Sequence, residues 1–347
     1  MILPRTTPNP TPQTAPPAAP RAIPDRLGSP LRQAATSWEA LLLALAAAIF
    51  AADALASPYF LDIWNLSDAT FNFSEKAIIA LAMAFVVMGG EIDLSVGGII
   101  ALASTAMGLA ATSGAGTLTV AAIGLGVGAA CGLLNGILVA RLGLPSIMAT
   151  IGTMSLFRGL SYLALGDGVL KDYPADFGWF GQGYVWQALS FEFASFLALA
   201  VVAGLVLHKT VFGRAVRAIG NNAFAARFSG IRVERIRLVL FLMTGLASGL
   251  AAVMLTSRLG STRPSIALGW ELDVVTIVVL GGISIQGGAG TIAGVVIAAF
   301  VMGLVTYGLG LLNVPGIIMS IVIGAMLIGT IALPILITRL VPRRRPT

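Results

Sequence analysis

The chain has one cysteine and one histidine in 347 residues, and only 10% of its side chains are charged. Cys131 alone excludes an internal disulfide framework, and it lies in the apolar run Val120 to Ala140, away from metal-ligand residue types. It reads as a packed, inert thiol. His208, beside Lys209 at the end of an apolar segment, leaves no His-based metal site and no Ser-His-Asp triad, and an interfacial side chain is expected there. There is no Gly-x-x-x-x-Gly-Lys-Ser/Thr run to cradle nucleotide phosphates, so any ATP hydrolysis would belong to another chain. With so few catalytic side chains, an integral membrane enzyme is poorly supplied. A channel is weaker still, because no selectivity-filter motif occurs. No catalytic residue, no metal, no cofactor in this chain and no nucleic-acid partner are expected.

What is abundant is apolar surface. Hydrophobic residues make up 57% of the chain and the mean hydropathy is +0.93, whereas a soluble chain carries about a quarter charged residues. The charges gather in short islands between apolar stretches of membrane-crossing length. The spacing predicts an all-α polytopic membrane protein with a lipid bilayer as its surroundings. Ten segments are expected, at 38–56, 77–90, 94–112, 118–140, 146–165, 191–208, 238–256, 274–284, 291–312 and 317–337. Several fall short of the roughly 20 residues of a perpendicular span, so helices broken at glycine pairs are expected.

Residues 1–37, rich in Pro, Thr and Ala, read as a disordered cytoplasmic tail rather than a cleaved leader. Residues 38–338 read as the transmembrane domain, 209–237 within it as a cytoplasmic loop, and 339–347 as a basic tail. Basic residues mark the cytoplasmic side. Arg5, Arg21, Arg26 and Arg32 lie near the N-terminus, Arg339 and Arg343 to Arg345 near the C-terminus, and seven basic residues against one acid in 209–237. With ten spans all three regions fall inside. Opposite loops are expected to hold Asp62, Asp68 and Glu75, and Asp167, Asp172 and Asp176.

An ungapped repeat places Val86-Val-Met-Gly-Gly90 on Val278-Val-Leu-Gly-Gly282, with Gly98 and Ile100 on Gly290 and Ile292. A parallel repeat of helix sets is the expectation. Gly89, Gly90, Gly97, Gly98, Gly281, Gly282, Gly287 and Gly288 permit close backbone approach or a break, so they are candidates to border a pathway or to pack helices tightly. Glu91, Asp93, Arg158 and Asp53 are charges at membrane depth, where each costs a few kcal/mol unless paired or hydrated. Glu91 and Asp93, just before Ser95, suit capping of the next helix or a place on the pathway. Arg158 needs a partner, and one of these acids is the expected one.

The run Gly90-Glu91-Ile92-Asp93-Leu94-Ser95-Val96-Gly97 resembles a Gly-Gly-Ile-Asp-Leu-Ser-Val-Gly signature of permeases in sugar-type bacterial ABC importers, the ribose, xylose and autoinducer-2 group. Glu91 replaces its second glycine. Thr210-Val-Phe-Gly213-Arg214 with Arg217, Ala218-Ile-Gly220-Asn221, Ala225-Ala226 and Ser229-Gly230-Ile231 is similar to that family's cytoplasmic coupling segment. Glu271-Leu-Asp273, Gly281-Gly282-Ile-Ser284 and Gly287-Gly288-Ala-Gly290 match its last signature. Glu91 together with the run from Phe60 to Ala77 looks most like rhamnose permeases. The resemblance implies a multi-pass subunit of the bacterial inner membrane that imports a monosaccharide by alternating access. It also implies a partner ATPase holding ATP and Mg, a periplasmic sugar-binding protein, and a second permease copy or sister permease. An ion-coupled secondary transporter is the alternative; it would work alone and would not need the Gly213 to Ile231 pattern.

Overall fold

The computed structural model describes residues 38–340; the expected N-terminal tail and the stretch 341–347 of the C-terminal tail lie outside them. The described chain forms thirteen α-helices. These are α1 (Trp38–Ala56), α2 (Ile63–Met88), α3 (Val96–Thr112), α4 (Thr117–Ala140), α5 (Ser146–Leu165), α6 (Trp179–Gln182), α7 (Phe191–Lys209), α8 (Val211–Asn221), α9 (Ala223–Phe228), α10 (Val233–Leu259), α11 (Trp270–Leu280), α12 (Ile292–Leu311) and α13 (Gly316–Leu340). A 3-10 turn, Ala175–Gly178, precedes α6, and a two-stranded antiparallel ribbon, β1 (Tyr184–Trp186) with β2 (Leu189–Ser190), lies in the α6–α7 connection. The all-α expectation is thus departed from only in a loop. Six of the described helices, α1, α2, α4, α7, α10 and α12, are long and apolar enough to cross a membrane, and α3 and residues 316–330 of α13 are shorter apolar helices.

The expected segments coincide with helices, and the largest error is at α2. Residues 63–76 were expected to lie in a loop carrying Asp68 and Glu75, but they form the first half of a 26-residue helix with Asp62 as its N-cap, accepting from the Trp64 and Asn65 backbone amides. Ser67, Ser74 and Glu75 lower the local hydropathy, yet all three are buried, because α2 is the innermost helix and meets protein rather than lipid on most of its surface. Ser67 Oγ donates to the Ala188 carbonyl and Ser74 Oγ to that of Thr70. Residues 209–237, the expected connection between apolar segments, fold into α8 and α9, set off by Gly230 from the first turn of α10.

Small residues set the tightest packing. Gly124, Gly128 and Gly132, four apart on α4, pack against Gly245 and Gly249 of α10, and Gly136, one step further, packs against Leu238. A methyl group on Gly128 would strike the Gly245 carbonyl and one on Gly132 the Phe241 carbonyl. Without a hydrophobic force between helices in lipid, such backbone contact is what holds them. Cys131 lies on the same helix, packed with Ile99 and Phe157 as an inert thiol.

Hydrogen bonds mark two ends of the helix bundle. At one end Trp38 Nε1 donates to the Leu280 carbonyl, and α8 packs against the chain breaks after α2 and α11. At the other, Leu170 and Thr262 form an isolated bridge, and Ser257 Oγ donates to the Phe177 carbonyl while accepting from the Gly181 amide. Tyr173 closes this end with a 2.6 Å bond to Thr262, and burial pushes its hydroxyl up to about 12, so it stays neutral.

Candidate functional site

The two halves of the sequence repeat end their first helices identically. At α2 the amides of Gly90 and Glu91 donate to the carbonyls of Val87 and Val86; at α11 those of Gly282 and Ile283 donate to Val279 and Val278. This is the Schellman arrangement, which requires a left-handed residue after the helix; Gly90 has φ +83° and Gly282 φ +80°. The repeat is therefore structural at its core. The connection to the next helix then differs, running from Gly90 to Ser95 in the first copy and from Gly282 to Thr291 in the second. Within the longer one, the Ser284 N–H donates to the Ala289 carbonyl and the Ser284 carbonyl accepts from the Gly287 N–H, folding the glycines into a tight turn.

Gly288 N–H donates to the Met88 carbonyl at 2.8 Å, joining the two breaks directly. Gly220 of α8 fills the corner between them: a methyl group there would collide with Met88 O and Gly288 N. Asn221 lies against Gly288, and Arg217 reaches the Gly290 carbonyl at 3.4 Å and His208 Nδ1 at 3.0 Å. The helices that bring Gly220 there are locally encoded. Thr210 caps α8 by accepting from Gly213 N–H, and Asn222 caps α9 by accepting from Ala225 N–H. Gly230, at φ +83°, ends α9 in another Schellman motif that passes Ile231 into the small core of Ile219, Ala226 and Val233. Gly213 touches the Leu207 backbone too closely for any side chain. The outer face of this unit leaves Val211, Arg214, Phe224, Ala225 and Phe228 exposed, with the Phe224 and Phe228 rings 4.6 Å apart.

The expected acids take separate roles. Asp93 is fully buried; its Oδ1 accepts from Ser95 N–H at 2.9 Å and Ser95 Oγ at 2.6 Å, and its Oδ2 from Thr244 Oγ1 of α10 at 2.7 Å. Asn135 of α4 donates to Ser95 Oγ at 2.7 Å. Asp93 thus starts α3 and fastens it to α4 and α10. Glu91 pairs with Arg237 at the start of α10, 2.8 Å away. Arg158 pairs with neither acid, contrary to expectation. Its Nη1 donates to the carbonyls of Pro264 and Ile266, at 2.8 and 3.1 Å, and the carboxylate beside it is Glu271. The reason is depth: Glu91 and Asp93 lie at the α8 end of the fold, whereas Arg158 is more than two turns into α5, where the 260–269 connection folds back between helices. A methyl group at Gly97 would lie 2.7 Å from Glu271 Oε2 and 3.2 Å from Arg158 Nη2, so only glycine leaves room for both. Gly98 next to it packs directly on the Met154 backbone of α5, where a methyl group would strike the Met154 carbonyl.

On the other side of α11, Lys76 of α2 meets Asp273 at 2.6 Å, with its ammonium 5.1 Å from the Trp270 ring centroid. This pair forms part of the wall of a cavity of about 580 Å³ between α2, α11, α12 and α13. A second ion pair lies nearer the ribbon end, where Arg258 grips the buried Glu75 through two 3.0 Å bonds beside the fully buried Glu192.

Comparison with known proteins decides what this architecture is for. Residues 65–331 match the family described as branched-chain amino acid transport system / permease component. The chain belongs to this permease family. Its relatives include the L-arabinose ABC transporter permease protein AraH of Azospirillum brasilense, 36% identical over 81% of this chain and 82% of that protein. The ribose import permease protein RbsC of Bacillus subtilis is 34% identical over 80% and 86%, and the autoinducer 2 import system permease protein LsrD of Yersinia enterocolitica is 34% identical over 84% and 89%. No solved structure gives a significant match. The permease is therefore a transport subunit with several membrane passes, not an enzyme.

In this permease the structure gathers Gly90, Gly220, Asn221, Gly287 and Gly288 into one joint at the end of α2, sets Gly281 against Gly294 and Val295 of α12 and Gly282 against Trp38, and keeps Arg158 apart from that joint. Sequence reasoning missed Glu75, Lys76, Glu192 and Arg258 as charges within the helices. All four stand at the edges of apolar runs, where charge alone does not distinguish a loop from the buried face of an inner helix. A carboxylate next to a lysine, as at Glu75-Lys76, in the middle of a segment as long as α2 was the available signal.

Proposed function

We propose that this permease, with a partner ATPase that binds ATP and Mg, imports a monosaccharide-sized polyhydroxylated solute across the bacterial inner membrane by alternating access. The observation that carries this reading is Gly220: a residue of the exposed α8–α9 unit is lodged where both glycine breaks meet. A push on α8 from outside the bundle is thereby delivered to α2, α3, α11 and α12 at once. The exposed Phe224 and Phe228 give an ATPase an apolar handle beside Arg214.

Ten segments cross the membrane in this reading, α11 and the folded-back 260–269 connection sharing one passage. Both chain ends and the α8–α9 unit are cytoplasmic, supported by the seven basic residues in 209–237 and by Trp38 at the α8 end. A loaded periplasmic binding protein docks on the opposite loops, and a second copy or a sister permease completes the pathway. The solute is inferred from relatives named for arabinose, ribose and autoinducer 2, all small and rich in hydroxyls. Within that class the 60–77 region and Glu91 favour rhamnose, although no relative named above carries it. An ion-coupled carrier would not need an exposed aromatic surface tied to both breaks.

The test is uptake of labelled rhamnose, arabinose and ribose by proteoliposomes containing this chain, its ATPase and its binding protein. Import of one sugar that requires ATP and both partners supports the reading. Import by the chain alone down an ion gradient overturns it.

A further inference from the structure

The cavity between α2, α11, α12 and α13 combines features that tight helix packing does not require. Its volume of about 580 Å³ is within the usual range of roughly 300–1,000 Å³ for small-molecule sites. Asn72 and Lys76 reach it from α2, Trp270 and Asp273 from α11, Thr306 from α12 and Ser320 from α13. Ion pairs at membrane depth are costly and mark solute pathways more often than packing. The two in this region differ in kind. The Glu75 carboxylate is fully buried under Arg258, whose own side chain keeps 24% of its surface, while both the Lys76 and the Asp273 side chain are partly open, at 18% and 17%. Both members of the second pair line the cavity, and neither Glu75 nor Arg258 does.

The hydroxyls of Thr306 and Ser320 donate to the carbonyls of Met302 and Gly316 of their own helices. Their oxygens keep lone pairs for another donor. A wall with a cation, a carboxylate, an amide, two hydroxyl acceptors and an indole matches a neutral polyol, which presents both donors and acceptors on its rim and C–H groups on its face. A charged solute would displace one member of the Lys76–Asp273 pair and leave the other uncompensated.

We infer that this cavity is a transient binding site for the transported sugar inside the permease, with Lys76 and Asp273 bonding its hydroxyls and Trp270 packing beside its carbon face. This rests on the sugar-import reading above. Cys131 is buried, so a single added thiol can be read against it. Ser320→Cys is placed in the complete complex with ATPase and binding protein, and its modification by a small charged thiol reagent is followed during ATP turnover with and without the imported sugar. Labelling is expected, slowed several-fold by that sugar and not by a sugar that is not imported. A thiol that never labels, or that labels equally with and without sugar, overturns the site.

Gly324 of α13, one turn on from Ser320, also lines the cavity, and the cavity-filling variant Gly324→Phe gives a second reading. It is expected to reduce uptake at least tenfold while the complex still assembles and the binding protein still stimulates ATP hydrolysis. Uptake at the unmodified rate would contradict the site even though ATP-dependent import by the parent complex stands. Loss of ATP-dependent import in the parent complex would instead remove the importer reading itself.

Discussion

The backbone N–H of Gly288 donates to the carbonyl oxygen of Met88 at 2.8 Å, so the end of α2 and the connection between α11 and α12, two hundred residues further along the chain, share one hydrogen bond. Gly220 closes over that bond from outside. Because the joint is made of backbone, it has no flexible side chain to absorb movement, and a shift of α8 is passed to both breaks.

Gly220→Ala is therefore expected to act through coupling. The added methyl forces the joint apart, at a cost of about 1–3 kcal/mol for overpacking. Sugar uptake per ATP hydrolysed should fall at least tenfold, while basal ATP hydrolysis persists; parallel measurement of both rates in proteoliposomes checks it.

Phe224 and Phe228 make no use of their exposure within the chain. Replacing both by Asp should abolish ATPase association, read by co-purification, and leave the melting temperature of the isolated permease within a few degrees. Unchanged association would show that docking uses another surface.

Glu91 occupies a signature position where related permeases are expected to carry glycine, and its carboxylate answers Arg237. Glu91→Gly alone leaves Arg237 partly buried without a partner, which costs on the order of 3–5 kcal/mol for a fully buried pair and less for this half-hydrated one. The double variant Glu91→Gly with Arg237→Leu should recover most of the lost thermal stability, measured by melting of the detergent-solubilised complex.

Asp93 is held by three hydrogen bonds from Ser95 and Thr244. Asp93→Ala should destabilise the protein by several kcal/mol, since bonds to a charged acceptor contribute about 1.5–3 kcal/mol each. Thr244→Val, which removes one of them, should cost roughly a third as much. Equal losses for the two would contradict the idea that Asp93 organises the start of α3.

The helices themselves were largely legible in the sequence, since α1 and α5 begin and end where hydropathy changes and α3, α4 and α12 do so within two residues. The glycine joint was legible in part. The pairing of Val86–Gly90 with Val278–Gly282 reveals two equivalent helix ends, and left-handed glycines follow from it. That Gly220 lies between them could not be read, because it depends on how α8 folds back. The polar residues of α2 misled for a physical reason: hydropathy measures a residue's preference for lipid, and an inner helix meets other helices instead. Lys76 and Asp273 were hidden for the same reason, their attraction being visible only once α2 and α11 are side by side.

The central claim is that ATP-driven movement of α8 opens the pathway through the joint at Gly220, Met88 and Gly288. The most direct measurement is a distance between spin labels on Arg214→Cys and Ser284→Cys in the complete complex, recorded without nucleotide and with ATP trapped. A nucleotide-dependent change that disappears in Gly220→Ala, together with loss of uptake, is the predicted result. Unchanged distances alongside full ATP-dependent uptake would contradict it.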